Sequence, residues 1–403
     1  MAFPKDAAPT NAPETFPVSS LSGSAVARAR ALVLTHGWNS VCFQILNPGF
    51  AYWFSPAGDA VVGYVRDQAS RVRVVGGAPV CSRERLADVI REWEAESRQA
   101  GDAVCYLCAA SRLQDALGTG TAPGAAPHTT VALGAQPVWN PQRWTEIFAA
   151  QASLRQQVRR VRGKGVQVTE WGAVRAATDP GLRRCLEEWL AARRMPPLRF
   201  LAEPRTLDRL EGRRVFVATL APGARAAATV TGFLIASPVP LRKGWLFEQV
   251  IRGADAPNGT AEMLIDGAMR AVAADGAQYV TLGLVPLSRR GGPAGGVPPS
   301  PLWLRLVLAW ARAHGRRFWN FDGLESFRAK LQPDFWEPIF AIADQRRFSP
   351  RLLIALARAF HPPAGRFSAG QAFLAILADA LRQECRGLLP DPRERAAPAS
   401  GAP

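Results

Sequence analysis

Residues 244–284 read GWLFEQVIRGADAPNGTAEMLIDGAMRAVAADGAQYVTLGL, and this stretch sets the fold. Gly244–Ile251 reads as a strand. Pro257 ends the extended segment and Asn258-Gly259 makes a turn. Asn258–Asp275 then reads as a helix. Asn258 or Thr260 lies near its cap, Met263, Leu264 and Val272 face inward, and Gly276 is the C′ residue. Ala277–Leu284 is a second strand.

The same general order precedes it. A helix is expected over 24–37, ending near Gly37. Four strand-like segments follow: Val41–Leu46, Ala51–Phe54, Ala60–Val65 and Arg71–Val75, separated by turn residues in the manner of an antiparallel meander. A helix at Ser82–Gln99 is capped by Ser82, and Ala103–Ala109 is a buried strand. Gly118–Pro127 is a loop. Pro141–Gly163 is helical and basic, and Pro180–Arg193 is an amphipathic helix. Arg214–Leu220 and Ala226–Ile235 are strands. Beyond residue 284 the chain predicts a loop (Arg289–Ser300), a helix (Leu302–His314), a strand (Arg317–Phe321), a short helix (Leu324–Leu331) and a last strand (Trp336–Ala343).

Composition narrows the partners. The 403 residues carry 49 Lys and Arg against 33 Asp and Glu, a net charge of +16. Such a balance points to a polyanion (nucleic acid, an anionic membrane, or both), the alternative being a GC-rich genome that favours arginine. No helix-turn-helix or finger pattern is present, so DNA is not expected as a partner. No apolar run reaches the roughly 18 residues of a membrane span, and the N-terminus lacks the pattern of a signal peptide. The six cysteines have no metal-ligand spacing, and Cys105-Tyr-Leu-Cys108 lies in an apolar strand-like run, where two reduced buried thiols are expected. The four histidines form no cluster, so no metal is expected. Only four lysines occur, Lys5, Lys164, Lys243 and Lys330. A lysine kept in an arginine-rich background points to a place where a compact ammonium matters, although chance alone could leave four.

Three groups of residues could carry chemistry. At Asn258, Gly259 and Thr260 the free N–H groups of a helix start can bind an anion, or simply begin an ordinary capped helix after a turn. On a strand, Glu248 and Arg252 share one face, and Glu262 lies in the first turn of the next helix. A carboxylate there can act as general base, hold an α-ammonium group, or simply compensate the helix dipole. Arg328 and Lys330 close a short helix, where they can hold phosphate, stabilise an oxyanion, or compensate its C-terminus. Separately, Arg155, Arg159, Arg160, Arg162 and Lys164 crowd one helix and give phosphate affinity without reading sequence. The stretch Ser349–Phe360, then Phe373–Leu381, either rests on an anionic bilayer or packs into the core.

Antiparallel strands followed by strand–helix–strand with a glycine at the helix entrance resemble the GNAT acyltransferase fold. Two halves in that order predict an α+β protein of two tandem GNAT-like lobes, each a mostly antiparallel sheet flanked by helices. The Q/R-x-x-G-x-G/A loop that binds coenzyme A in GNAT enzymes is absent at residues 252–261, so no cofactor is expected. The blocks GWLFEQVIR, APNGTAEMLID, VTLGLVPLS and FDGLESFRAKLQPDFWEPIF also resemble, in order and spacing, the C-terminal domain of the phosphatidylglycerol lysyltransferases, the multiple peptide resistance factor family. Arg252, Glu262, Ser288, Lys330 and Glu337 fall on motif positions of that family.

The resemblance implies an aminoacyltransferase that moves an amino acid from aminoacyl-tRNA to a headgroup hydroxyl of phosphatidylglycerol or a related lipid. Its lobes would be 21–135 and 166–348, joined by a basic helix within 136–165. Helices would follow at 349–386, with disordered tails at 1–20 and 387–403. Glu248, Arg252, Glu262 and Lys330 would be catalytic. Asn258, Gly259, Thr260, Ser288, Arg328 and Glu337 would bind substrate or phosphate, and the basic helix would bind tRNA. Full-length relatives carry a membrane domain that these residues lack. A stand-alone enzyme would meet its lipid as a peripheral protein on the inner face of the plasma membrane. An N-acyltransferase using an acyl thioester and a non-catalytic basic membrane- or RNA-binding protein are the alternatives.

Overall fold

The structure, a computed structural model, describes residues 18–118, 127–192, 200–221, 228–288, 290–291, 301–314 and 321–360. Helix α1 (Val18–His36) ends where the Gly37 N–H returns to the Val33 carbonyl. Strands β1 (Ala51–Phe54), β2 (Val61–Asp67) and β3 (Val72–Gly76) lead to α2 (Leu86–Gln99), β4 (Ala103–Ala109), α3 (Ser111–Leu117) and the long β5 (Thr129–Trp139). Helices α4 (Trp144–Ala150) and α5 (Ala152–Gly163) pass to β6 (Val166–Trp171), α6 (Ala173–Thr178) and α7 (Pro180–Ala191). Then come β7 (Arg214–Leu220), β8 (Thr229–Val239), β9 (Gly244–Arg252), α8 (Thr260–Ala274), β10 (Tyr279–Thr281) and β11 (Val285–Pro286). Helices α9 (Leu302–His314) and α10 (Phe321–Lys330), strand β12 (Phe335–Ala343) and α11 (Pro350–Phe360) complete the described chain.

Hydrogen bonds join these strands into one sheet, in the order β1-β2-β3-β4-β12-β5-β10-β9-β8-β7-β6, with β11 pairing beside it to β5. Two neighbouring pairs are parallel, β3 with β4 and β9 with β10. Each is joined by a crossover helix, α2 or α8, as a parallel pair requires. The protein is therefore α+β, its one large, mostly antiparallel sheet built from two lobes that each contain one parallel crossover. The lobes share a seam. The late strand β12 lies between β4 and β5, pairing Ile342 with Tyr106 on one side and Thr130 on the other.

Alternation along the strands buries both faces. In β4, Val104 and Tyr106 pack with α2, while Cys105 and Leu107 join the core that contains Leu352, Ala355 and Leu356 of α11. Ser349–Phe360 thus packs against the first lobe. In the second lobe Leu264, Ala268 and Val272 of α8 meet Leu154, Val158 and Val161 of α5. Two buried tryptophans satisfy their N–H groups: Trp144 Nε1 donates to Asp266 Oδ1 at 2.9 Å and Trp139 Nε1 to the Leu331 carbonyl at 2.9 Å.

Several expectations are corrected. Val41–Leu46 is not a strand: Phe43–Leu46 forms a 3-10 turn, after the Asn39 side chain accepts from the Val41 N–H at 3.0 Å. Ser82 does not cap α2, which starts at Leu86. Residues 18–20, expected within the N-terminal tail, are helical at the start of α1. The basic helical segment breaks at Gln151 into α4 and α5. The 277–284 strand is cut to Tyr279–Thr281, and β5, β6, α3 and α6 were not anticipated. Residues 317–320, Phe373–Leu381, the C-terminal tail and most of the 289–300 loop lie outside the described residues. Cys105 and Cys108 are buried, and burial pushes both thiols up to about 12, which makes them inert at neutral pH.

Candidate functional site

The second lobe contains a break in its own sheet. β10 pairs with β9 only at Tyr279–Gly244, Val280–Trp245 and Thr281–Leu246. β9 continues alone beside β8 as far as the Gly232–Arg252 pair. After Thr281 the chain turns through Gly283, at φ +75°, and β11 pairs instead with Gly134 and Ala135 of β5. The Thr281 hydroxyl steers this departure, donating to the Pro137 carbonyl at 2.7 Å and accepting from the Gly283 N–H at 3.1 Å. Among the described residues, 247–252 therefore have no strand partner on one side, and a wedge opens between β9 and the departing chain.

A bulge in β9 changes which side chains face the wedge. Register shifts between Ile235–Gln249 and Ala236–Phe247, leaving Glu248 as the extra residue. Phe247 and Val250 pack with the core under α8, whereas Glu248 turns to the opposite face with Ile251. The expectation that Glu248 and Arg252 share a face is thus overturned, because the bulge resets the two-residue alternation. Glu248 accepts from Arg213 Nε at 2.6 Å, Ser237 Oγ at 2.8 Å and Gln44 Nε2 at 2.9 Å. Both members of the Arg213–Glu248 pair are buried, with side chains 4% and 8% exposed. On that face lies a cavity of about 800 Å³ whose walls include Val26, Phe43, Leu46 and Val174. Arg205 and Arg209 also line it, and neither meets an acid within ion-pair distance among the described residues.

The helix entrance supplies the other wall. Gly259, not Asn258 or Thr260, is the cap residue of α8, at φ +101°. Asn258 is exposed, and the Thr260 hydroxyl donates to the Pro257 carbonyl at 2.7 Å. A Cβ on Gly259 would lie 2.6 Å from Val161 Cγ2 and 2.8 Å from Gln157 Cγ, so α5 presses on this turn. Gly259→Ala is therefore expected to lose about 2–4 kcal/mol from backbone strain and overpacking together. A urea midpoint equal to that of the unaltered protein would rule this out.

Glu262 is buried in the first turn of α8, and Lys330 Nζ from α10 lies 3.5 Å from its Oε1. The same ammonium donates to Gln157 Oε1 of α5 at 2.6 Å. Three helices thus converge on one lysine. Arg328, two residues earlier, donates to the Gly283 carbonyl at 2.6 Å and meets no acid among the described residues. Burial pushes its guanidinium down to about 9, so it is still charged at neutral pH. A half-buried arginine with spare donors and no counter-charge is an anion seat.

The remaining expected site residues are dispersed. Arg252 is exposed and has no partner among the described residues. Ser288 Oγ accepts from the Arg290 N–H at 3.2 Å, next to the turn after β11. Glu337 is locked elsewhere: Arg242 grips it through two bonds of 2.9 and 2.5 Å, and Gln136 Nε2 donates to it at 2.7 Å. On α5, Arg159, Arg160, Arg162 and Lys164 are exposed and meet no acid among the described residues, while half-buried Arg155 donates to the Ala149 carbonyl. Among the described residues no cluster of His, Cys, Asp and Glu could hold a metal. Gln157, Arg213 and Arg242 were not anticipated. Only the position of Gln157, in one helical row with Arg160 and Lys164, hinted at its place.

The sequence profile described as phosphatidylglycerol lysyltransferase, C-terminal, matches residues 30–343. The chain belongs to this family. The phosphatidylglycerol lysyltransferase C-terminal fold is also seen in its structural relatives. One is the C-terminal DUF2156 domain of a protein named as a lysylphosphatidylglycerol synthetase from Agrobacterium fabrum. It is 21% identical with a TM-score of 0.67, and the match covers 86% of this chain and 99% of that one. L-PGS from Bacillus licheniformis is 17% identical with a TM-score of 0.64, over 83% and 96% of the two chains. A conserved protein of unknown function from Bacteroides thetaiotaomicron reaches 0.52 at 12% identity, over 79% and 96%. No curated protein sequence is close enough to count as a relative. Within this lysyltransferase family the chain is a transferase, and no helix among its described residues is long and apolar enough to cross a membrane.

Proposed function

We propose that the protein moves an amino acid from aminoacyl-tRNA to a headgroup hydroxyl of phosphatidylglycerol or a related lipid. The observation that carries this reading is the Lys330 ammonium, held between Glu262 and Gln157 beside the broken sheet, with Arg328 close by in the chain. The acceptor hydroxyl attacks the carbonyl carbon of the aminoacyl ester. A new ester forms, the bond to the ribose oxygen breaks, and the hydroxyl proton ends on that ribose oxygen. One ester replaces another, so no external energy source is needed. The enzyme has only to align the two substrates and stabilise the oxyanion between them. Lys330 and Arg328 stabilise the oxyanion or hold phosphate, and Glu262 orients the lysine or receives the α-ammonium of the amino acid.

The cavity beside Glu248 is the candidate acceptor site: Val26, Phe43 and Leu46 suit a lipid chain, and Arg205 and Arg209 suit its phosphodiester, although Glu203, Asp208 and Glu211 line the same walls. The headgroup then reaches the lysine through the break between β9 and β10. The donor lies along α5, and the protein works at the anionic inner surface of the plasma membrane. Radiolabelled aminoacyl-tRNA incubated with phosphatidylglycerol vesicles should yield a labelled lipid, and ribonuclease should abolish it. Transfer from an acyl thioester that ribonuclease leaves untouched would establish the N-acyltransferase alternative instead.

The α5 cations offer a separate check. Replacing Arg159, Arg160, Arg162 and Lys164 by alanine should flatten the plot of log affinity for tRNA against log salt by about 3 units, each lost phosphate contact removing about 0.7–0.9. An unchanged slope would move the RNA elsewhere. These four side chains are exposed, so the variant should melt as the unaltered protein does.

A further inference from the structure

We propose that Gln157 is a positioning residue that links occupancy of the cationic helix α5 to the placement of the Lys330 ammonium. The inference rests on the donor reading above. Its basis is the way α5 is built. Leu154, Val158 and Val161 root one side of the helix in the core. Arg159, Arg160, Arg162 and Lys164 crowd its solvent side with uncompensated positive charge. Gln157 sits on the flank between them. At 100° per residue it shares a row with Arg160 and Lys164, three and seven positions on. It is an uncharged member of that row, and it is the one that touches the site.

The contact is short and directional. Gln157 Oε1 accepts from Lys330 Nζ at 2.6 Å, whereas the lysine lies 3.5 Å from Glu262. The neutral amide, rather than the carboxylate, therefore sets the direction of one ammonium N–H. The same residue also bears on the entrance of α8, because a Cβ on Gly259 would come within 2.8 Å of Gln157 Cγ. Phosphates drawn onto the exposed row pull on a helix whose inner flank holds both the lysine and the helix entrance. Packed elements of this kind shift as units rather than deform. A small movement of α5 is thus passed to Lys330 through a single hydrogen bond, and the lysine is aimed when RNA is present.

The scarcity of lysine makes the test direct. With isotope-labelled lysine, the full-length chain gives four side-chain ammonium signals, and Lys330→Met identifies the one that matters. Addition of deacylated tRNA should move the Lys330 signal in the unaltered protein. In Gln157→Ala the tRNA should bind with unchanged affinity while the Lys330 signal stays still. In the transfer assay Gln157→Ala should lower kcat by about 10- to 100-fold with KM for aminoacyl-tRNA unaltered, the scale expected of a reacting group misplaced by about an ångström. Gln157→Glu keeps the acceptor oxygen at the same reach and should regain most of the loss. Gln157→Asn, one methylene shorter, should not. If Lys330 responds to tRNA equally in Gln157→Ala, or kcat is retained, the positioning role is overturned and the donor reading survives. If the unaltered protein does not bind tRNA at all, the donor reading fails and the coupling fails with it.

Discussion

Lys330→Ala is expected to lower transfer to phosphatidylglycerol by roughly 100- to 1,000-fold, the cost of removing one oxyanion donor from a preorganised site. The ammonium is bound on two sides, by Gln157 and Glu262, and its side chain is 35% exposed, so it still reaches the solvent-accessible wedge. Lys330→Arg should recover little. A guanidinium has a different fork geometry and cannot occupy the compact position between an amide and a carboxylate. The alanine variant leaves buried Glu262 without its cation, so some stability is lost as well. The double variant Lys330→Met with Glu262→Gln removes both charges and should melt near the unaltered protein, yet remain inactive. Normal turnover by a folded Lys330→Ala protein would remove this lysine from the mechanism.

Glu248→Ala should cost about 3–5 kcal/mol, the scale for stripping one partner from a buried ion pair. Arg213 would be left with Asn47 Oδ1 at 3.0 Å, Ser237 Oγ at 3.1 Å and the Arg209 carbonyl at 2.7 Å, but no negative charge. Against a total stability of about 5–15 kcal/mol, such a loss depletes the folded protein in cells. Replacing both Arg213 and Glu248 by methionine should restore most of the urea midpoint, since an apolar pair of similar volume avoids the desolvation of two ions. Glu248→Gln separates structure from chemistry: a folded but inactive Gln variant would make this carboxylate the general base, whereas retained turnover would confine it to holding the lobes together through Gln44.

The second lobe was legible where glycine and proline punctuate the chain. β7 was read residue for residue, and β9 and α8 to within two residues, because Pro257, Gly259 and Gly276 mark their ends. β5 went unseen. It carries Gly134 and Pro137, residues that argue against a central strand. Its partner β12 lies some two hundred residues away, beyond the reach of local pattern. Val41–Leu46 has strand composition, yet Asn39 turns the backbone and burial on all sides removes the alternation that would have mattered. β10 looked longer because Val280, Leu282 and Leu284 alternate as in a strand, and Gly283 was the signal that it breaks.

At the site, Glu262 and Lys330 could be picked out by residue type, by position at a helix end and by the rarity of lysine. Their shared partner could not. Gln157 is a neutral side chain inside a basic helix, and only three-dimensional packing brings it to the ammonium. The bulge at Glu248 was equally invisible, since counting by twos assumes an unbroken ladder. Glu337 could be picked out from its sequence block, but its partners Arg242 and Gln136, which hold it in the seam between the lobes, could not.

That seam also has a temporal consequence. β4 and β5 cannot complete their hydrogen bonding until β12 arrives between them. At a bacterial synthesis rate of about 5–20 residues per second, the ribosome needs roughly 10–40 s to travel from one to the other. Throughout that interval the first half of the nascent chain carries two open strand edges, each a template for mispairing. The sheet can therefore close only after β12 has been made, and shielding of these open edges, rather than spontaneous folding of the first lobe, should govern the yield during expression.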